Sequence, residues 1–186
     1  KEYYLKGDNM KEEKIPSLTE KIRIFALGGL DEDGKNLFCV EVDESIYVIE
    51  AGIKFPDNKE SLGIEFIIQD FTYLVENKNR VVGIFITHGH DDVMGALPYL
   101  LKQVPCDVYT APLAVKEVQK MIRQEHITGV RVHSVKRNDK KRIGKRRVVF
   151  FPITHAYPGT FGLAIGTNQG YIVYSGEFIE DYDDLD

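Results

Sequence analysis

The stretch VVGIFITHGHDDVMGALPYLL, residues 81–101, decides the fold. Its first seven residues are a continuous apolar run. Such a run fits a strand buried on both faces. A polar cluster, His88 to Asp92, follows at once, and MGALPYLLKQ then begins a helix. Strand, short polar loop and helix place the cluster at the carboxyl end of a strand, where ligand sites of α/β sheets tend to lie.

Working outward, the flanking sequence alternates between strands and turns. KIRIFAL (21–27) has the period of two of a half-buried strand. LFCVEV (37–42) and SIYVIE (45–50), joined by Asp43-Glu44, read as a hairpin. Residues 70–78 read as a short helix with Asp70 as N-cap. DVYT (107–110) is a short strand. LAVKEVQKMIRQEH (113–126) is an amphipathic helix with Val115, Val118, Met121 and Ile122 on one face. RVHSV (131–135), RRVVFFPI (146–153), FGLAIG (161–166) and YIVYSG (171–176) add four strands. Helices are too few for a regular βαβ series. The expectation is an α/β (α+β) fold, a layered sheet with flanking helices.

Composition narrows the class. The chain has 186 residues, 43% apolar and 28% charged, which fits a globular domain and excludes a disordered chain. No apolar run approaches the roughly 20 residues of a spanning helix, so no membrane partner is expected. Cys39 and Cys106 are too few for a disulfide framework and fit a reducing cytoplasm. The polar start has no signal-peptide core. Residues 1–20 read as a mobile arm. The net charge of −5 hides a basic run, KRNDKKRIGKRR (136–147), and an acidic end, EDYDDLD (180–186). The basic run reads either as phosphate contacts through Lys141, Arg142, Lys145 and Arg146 or, preferably, as a solvated hairpin. With no aromatics interleaved, it does not suggest base stacking. His126 and His133 lack ligand partners at metal spacing.

The chemistry lies in THGHDDV (87–93). Gly89 would let the loop bend so that the imidazoles of His88 and His90 face one point. Imidazole and carboxylate are ligands for zinc or manganese, and Asp92 could serve a second ion. The competing reading is a helix cap supplied by Asp91 or Asp92.

The segment resembles the metallo-β-lactamase superfamily, whose signature is H-x-H-x-D-H; here the last position is Val93. ALGGL…GKN (26–36), EAGIKFP (50–56), THGHDD…GALPYLL (87–101), ITHAYPGTFG (153–162) and IVYSGEF (172–178) resemble successive blocks of the ribonuclease J family, most closely its divergent second paralogue. The resemblance implies an αββα sandwich incomplete at its C-terminal end. Residues 21–186 would be the first part of that domain, with the β-CASP and C-terminal domains outside this chain. It also implies metal-dependent hydrolysis of single-stranded RNA, by exonuclease and endonuclease action, in RNA processing and decay.

By the same resemblance His88, His90 and His155 hold the first ion. Asp92 serves the second, and Glu177 stands where the family has a bridging aspartate. Glu50 supports the site from behind. Asp92 and His155 are the catalytic pair. Val93 removes a ligand of the second ion and Glu177 adds a methylene, so one ion is expected rather than two, with weakened activity. Two alternatives stand beside the nuclease. One is a degenerate paralogue serving as a subunit of an active ribonuclease J oligomer. The other is a different lactamase-fold hydrolase.

Overall fold

A computed structural model describes residues 20–56 and 63–179. The expected arm, apart from Glu20, and the acidic end lie outside the described residues. Among the described residues ten strands form two sheets. The first has six strands in the order β1 (Ile22–Gly28), β2 (Leu37–Val42), β3 (Ser45–Ile49), β4 (Val81–Ile86), β5 (Val108–Thr110) and β6 (Val132–Ser134). Strands β1 to β3 are antiparallel, and β3 to β6 are parallel. The second sheet comprises β7 (Lys140–Ile143), β8 (Arg146–Pro152), β9 (Phe161–Thr167) and β10 (Gly170–Tyr174), all antiparallel. Among the described residues there are four α-helices: α1 (Thr72–Glu76), α2 (Asp91–Met94), α3 (Leu97–Gln103) and α4 (Val115–Gln124).

The strand period of two explains the layers. Leu37, Cys39, Ile46, Val48, Ile84 and Ile86 face the helices and join Leu74, Leu97, Leu100 and Val118 in one core. Val40, Val42, Tyr47, Ile49 and Phe85 point the other way, onto Val148, Phe150, Leu163 and Ile165 of the second sheet. Apolar runs such as 81–86 are continuous because both faces are buried. Among the described residues no helix covers the outer face of the second sheet. Tyr171 is 56% exposed there and Val173 60%.

Three sequence expectations are refined. The basic run is a hairpin, but it contains a strand of its own, β7, that alternation did not reveal. Arg146 does not point into solvent as one of its phosphate contacts: its guanidinium lies 2.5 Å from Glu20 and 2.8 Å from Asp43. Glu20 is likewise no part of a free arm. Its side chain is buried and accepts the Asn168 backbone N–H (2.9 Å).

The parallel strands all end on one side, and the loops leaving them are knitted together. The N–H groups of Ala51 and Ile53 donate to the carbonyls of Val93 (2.7 Å) and Asp91 (2.9 Å). The Asn36 N–H donates to the Asp92 carbonyl (3.2 Å), and Gly52 N–H to the Asn36 carbonyl (3.0 Å). At Gly52 a Cβ would lie 1.5 Å from the Asp92 carbonyl oxygen, so only glycine fits. Gly52→Ala is therefore expected to destabilise the protein by about 3 kcal/mol or more. A urea unfolding midpoint equal to that of the parent would contradict this.

Candidate metal centre

The site sits where four strand ends meet. β3 delivers Glu50, β4 delivers Thr87 and His88, β8 leads to His155, and β10 leads to Glu177. His88, His90 and His155 each offer a ring nitrogen, and these atoms lie within 4.8 Å of one another. His88 Nε2 and His90 Nδ1 are 3.1 Å apart. Three imidazoles converging this closely, without a carboxylate between them, are a donor set that suits a divalent cation such as zinc.

Burial, reinforced by the neighbouring His155 and His90, pushes the His88 imidazole down to about 4. His88 is therefore neutral at neutral pH, as a ligand must be. Its orientation comes from behind. Thr87 Oγ1 lies 3.0 Å from His88 Nδ1 and donates to Glu50 Oε1 (2.6 Å), while the Thr87 N–H donates to Glu50 Oε2 (3.1 Å). While the Glu50 carboxyl is ionised, the Thr87 hydroxyl gives it its proton and accepts the Nδ1 proton of His88. That leaves Nε2 as the free lone pair facing His90. Glu50 is fully enclosed and adopts a left-handed backbone conformation (φ 64°). Burial raises its carboxyl to about 8, against the opposing effect of the Thr87 hydrogen bonds; Glu177 and Asp92 raise it further.

Asp92 and Glu177 stand beside the histidines. Glu177 Oε2 is 3.7 Å from His155 Nε2. Burial and then the Asp92 carboxylate raise the Glu177 carboxyl. The Asn36 amide donates to both acids, at 3.4 Å each, and the three side chains line a cavity of about 600 Å³. The structure thus brings together His88, His90, Asp92, His155, Glu177 and Glu50. Lys141, Arg142 and Lys145 are elsewhere, on the hairpin at the far end of β8. His133 pairs with Asp107 (2.9 Å), away from the cluster.

Other local expectations change. Neither Asp91 nor Asp92 caps the helix. The N-cap is His90, with no side-chain bond, and both acids lie in the first turn of α2. Gly89 is not a left-handed bend; a Cβ there would lie 2.6–2.8 Å from the Tyr157 ring and hydroxyl. Tyr157 packs against the rings of His90 (5.7 Å) and His88 (6.0 Å). Val93 is 2% exposed and belongs to the helix-side core. Sequence reasoning gave no role to Thr87 or Asn36. Their only signals were their places beside His88 and in the GKN block.

Comparison with known proteins agrees with this fold. A family model described as a beta-lactamase superfamily domain matches residues 56–183. A protein named Ribonuclease J 2 from Staphylococcus epidermidis is 39% identical over 165 residues, 88% of this chain and 29% of its own. Its namesake from Streptococcus pyogenes serotype M3 is 39% identical over 159 residues, covering 84% of this chain and 29% of its own. The chain thus spans under a third of the length of these relatives. Two solved structures share the fold. A protein of unknown function from Enterococcus faecalis V583 gives a TM-score of 0.60 at 14% identity, covering 86% of this chain and 44% of its own. Human tRNase Z, short form, gives 0.53 at 16%, covering 82% and 68%.

Two outcomes follow for the metal-free protein. Glu50 is raised from 4.5 to about 8 on folding. Its contribution to stability is therefore fully present below 4.5 and is lost as pH rises through 8. His88 is lowered from 6.5 to about 4. Its contribution is present above 6.5 and is lost as pH falls through 4. The two slopes oppose each other between 4.5 and 6.5, leaving a fall in stability from pH 6.5 to 8 due to Glu50. Urea titrations across this range should show that fall, and Glu50→Gln should reduce it. Because glutamine donates to Thr87 and turns its hydroxyl toward His88 Nδ1, the same variant should weaken zinc binding by about 10–100-fold above pH 8, where Glu50 is ionised. Unchanged affinity in calorimetry would sink the relay.

Proposed function

The chain belongs to the beta-lactamase superfamily, and from that premise we propose that it acts as a ribonuclease J-type, metal-dependent RNA hydrolase. The observation that carries the reading is the convergence of His88, His90 and His155 within 4.8 Å at the strand ends. The relatives named Ribonuclease J 2 point the same chemistry at RNA.

In this proposal the three histidines hold a zinc or manganese ion, with Asp92 and Glu177 as the carboxylates toward a second. A bound divalent ion would supply Lewis acidity and an acidified water. The chain's own groups do the rest. Thr87 and Glu50 fix the face that His88 presents. Asp92 accepts a proton from the attacking water. His155 holds its ring edge toward Glu177. The Asn36 amide keeps Asp92 and Glu177 in register by donating to both. The open cavity of about 600 Å³ beside these acids admits the phosphodiester of a single strand. Action would include exonuclease and endonuclease cleavage in RNA processing and decay, in the cytoplasm.

A second reading has its own observation. Val93 occupies the position of a family ligand and is packed into apolar core. In that reading the second ion is lost, and the protein works chiefly as a subunit of an oligomer with an active paralogue.

The decisive assay uses full-length protein, 5′-monophosphorylated single-stranded RNA and Mn²⁺, with His88→Ala/His90→Ala as control. RNA loss that the control abolishes is expected. Activity equal to the control would overturn the hydrolase and favour the subunit. Val93→His with Glu177→Asp should raise both bound metal, measured by mass spectrometry, and the cleavage rate. If neither rises, the account of the missing ligand is wrong.

A further inference from the structure

Apart from Ile143, which packs into the core between the sheets, the basic run contributes to neither the metal centre nor the core, and its placement calls for a ligand. Lys136 and Arg137 leave β6 on the side of the metal centre. They line a cavity of about 350 Å³ with Ile153 and Thr160, the two ends of the loop that carries His155. From there β7 runs along the free edge of the second sheet to the turn at Gly144-Lys145. Lys140, Lys141, Arg142, Lys145 and Arg147 surround a hollow of about 510 Å³ there, with no carboxylate and no aromatic ring in its lining. From Arg137 to Lys145 the chain spans at most about 26 Å at strand rise.

Intramolecular pairing accounts for little of this charge. Asp139, the one acid in the run, accepts the Lys136 backbone N–H (2.9 Å) and lies 3.5 Å from Lys141. Arg146 is held by Glu20 and Asp43. Among the described residues Arg137, Lys140, Arg142, Lys145 and Arg147 have no ion pair. Arg142 also stands directly across the ladder from Arg147. Like charges in that position destabilise a strand pair unless an anion lies between them. A fold gains nothing from this arrangement, whereas a polyanion does.

We propose that this edge is a phosphate track. Lys136, Arg137, Lys140, Arg142, Lys145 and Arg147 hold the backbone of a single-stranded RNA between the metal centre and the far end of the sheet. The proposal rests on the RNA reading above. In the hollow at the turn contacts are to phosphates, since no aromatic lines it, so that part of the track is indifferent to sequence.

The test is equilibrium binding, by fluorescence anisotropy, of single-stranded RNAs of about 16 and about 4 nucleotides. It uses the full-length protein, with EDTA to stop cleavage. Arg142→Ala/Lys145→Ala/Arg147→Ala should bind the longer RNA about tenfold more weakly. Its slope of log affinity against log salt should be shallower by about 2, at roughly 0.7 per lost contact. The shorter RNA covers only part of the track and should lose less affinity than the longer one. Arg142→Lys/Arg147→Lys keeps the charge and should bind like the parent, at an unchanged melting temperature. If the parent binds the longer RNA and the alanine variant matches it in affinity and slope, the track is overturned and the RNA reading survives. If the parent binds neither RNA, both fall.

Discussion

The close approach of the 50–53 segment to the 91–93 segment is the constraint on which the rest of this structure depends. Two chain segments normally keep a side chain's width between them. Here the Asp92 carbonyl occupies the space where residue 52 would carry a Cβ, and backbone hydrogen bonds from Ala51 and Ile53 close the gap. The loop bearing His88 and His90 is therefore fixed against the end of β3 rather than left as a free turn. Glu50, one step earlier, is held in a left-handed conformation with its carboxyl turned inward against Thr87. Strain of that kind persists only where the surroundings over-determine it, and it clusters at functional sites.

Electrostatics at the site follow from this enclosure. Burial disfavours every charged form at once, so His88 is neutral and the Glu50 and Glu177 carboxyls are raised. A neutral His88 beside two further imidazoles and the reluctant Glu50 and Glu177 carboxyls is a poor arrangement for an empty protein and a suitable one for a cation, which would stabilise the ionised acids together. Asn36 offsets part of the repulsion between Asp92 and Glu177 with a single neutral amide.

The two sheets divide the labour. The six-stranded sheet is apolar on both faces and acts as a rigid platform, because the ends of its parallel strands converge on the site. The four-stranded sheet adds His155 and Glu177 from its own strand ends, while its outer face carries exposed Tyr171 and Val173 and a basic edge. Among the described residues one helix layer and two sheets are present, three of the four layers of an αββα sandwich. The second sheet has its inner face buried and its outer face open.

Much of this was legible in the sequence. Alternation, continuous apolar runs and β-branched segments located nine of the ten strands among the described residues, and the pairing of His88 with His90 on a strand-to-helix loop named the candidate site. Local pattern carries that information because both features are set by residues within a few positions of one another. The block resemblance supplied His155, Asp92, Glu177 and Glu50 as candidates. The other strand, β7, was hidden because its charged residues at the sheet edge mask the alternation. The roles of Thr87, Asn36 and Gly52, and the capture of Arg146 by Glu20, depend on contacts between residues 16 to more than 120 positions apart. By itself the sequence determined most of the elements that form and which side chains are candidates for the chemistry. The tertiary structure decided which of those side chains meet, since distance in space is fixed only when two sheets pack and their strand ends are brought to one edge.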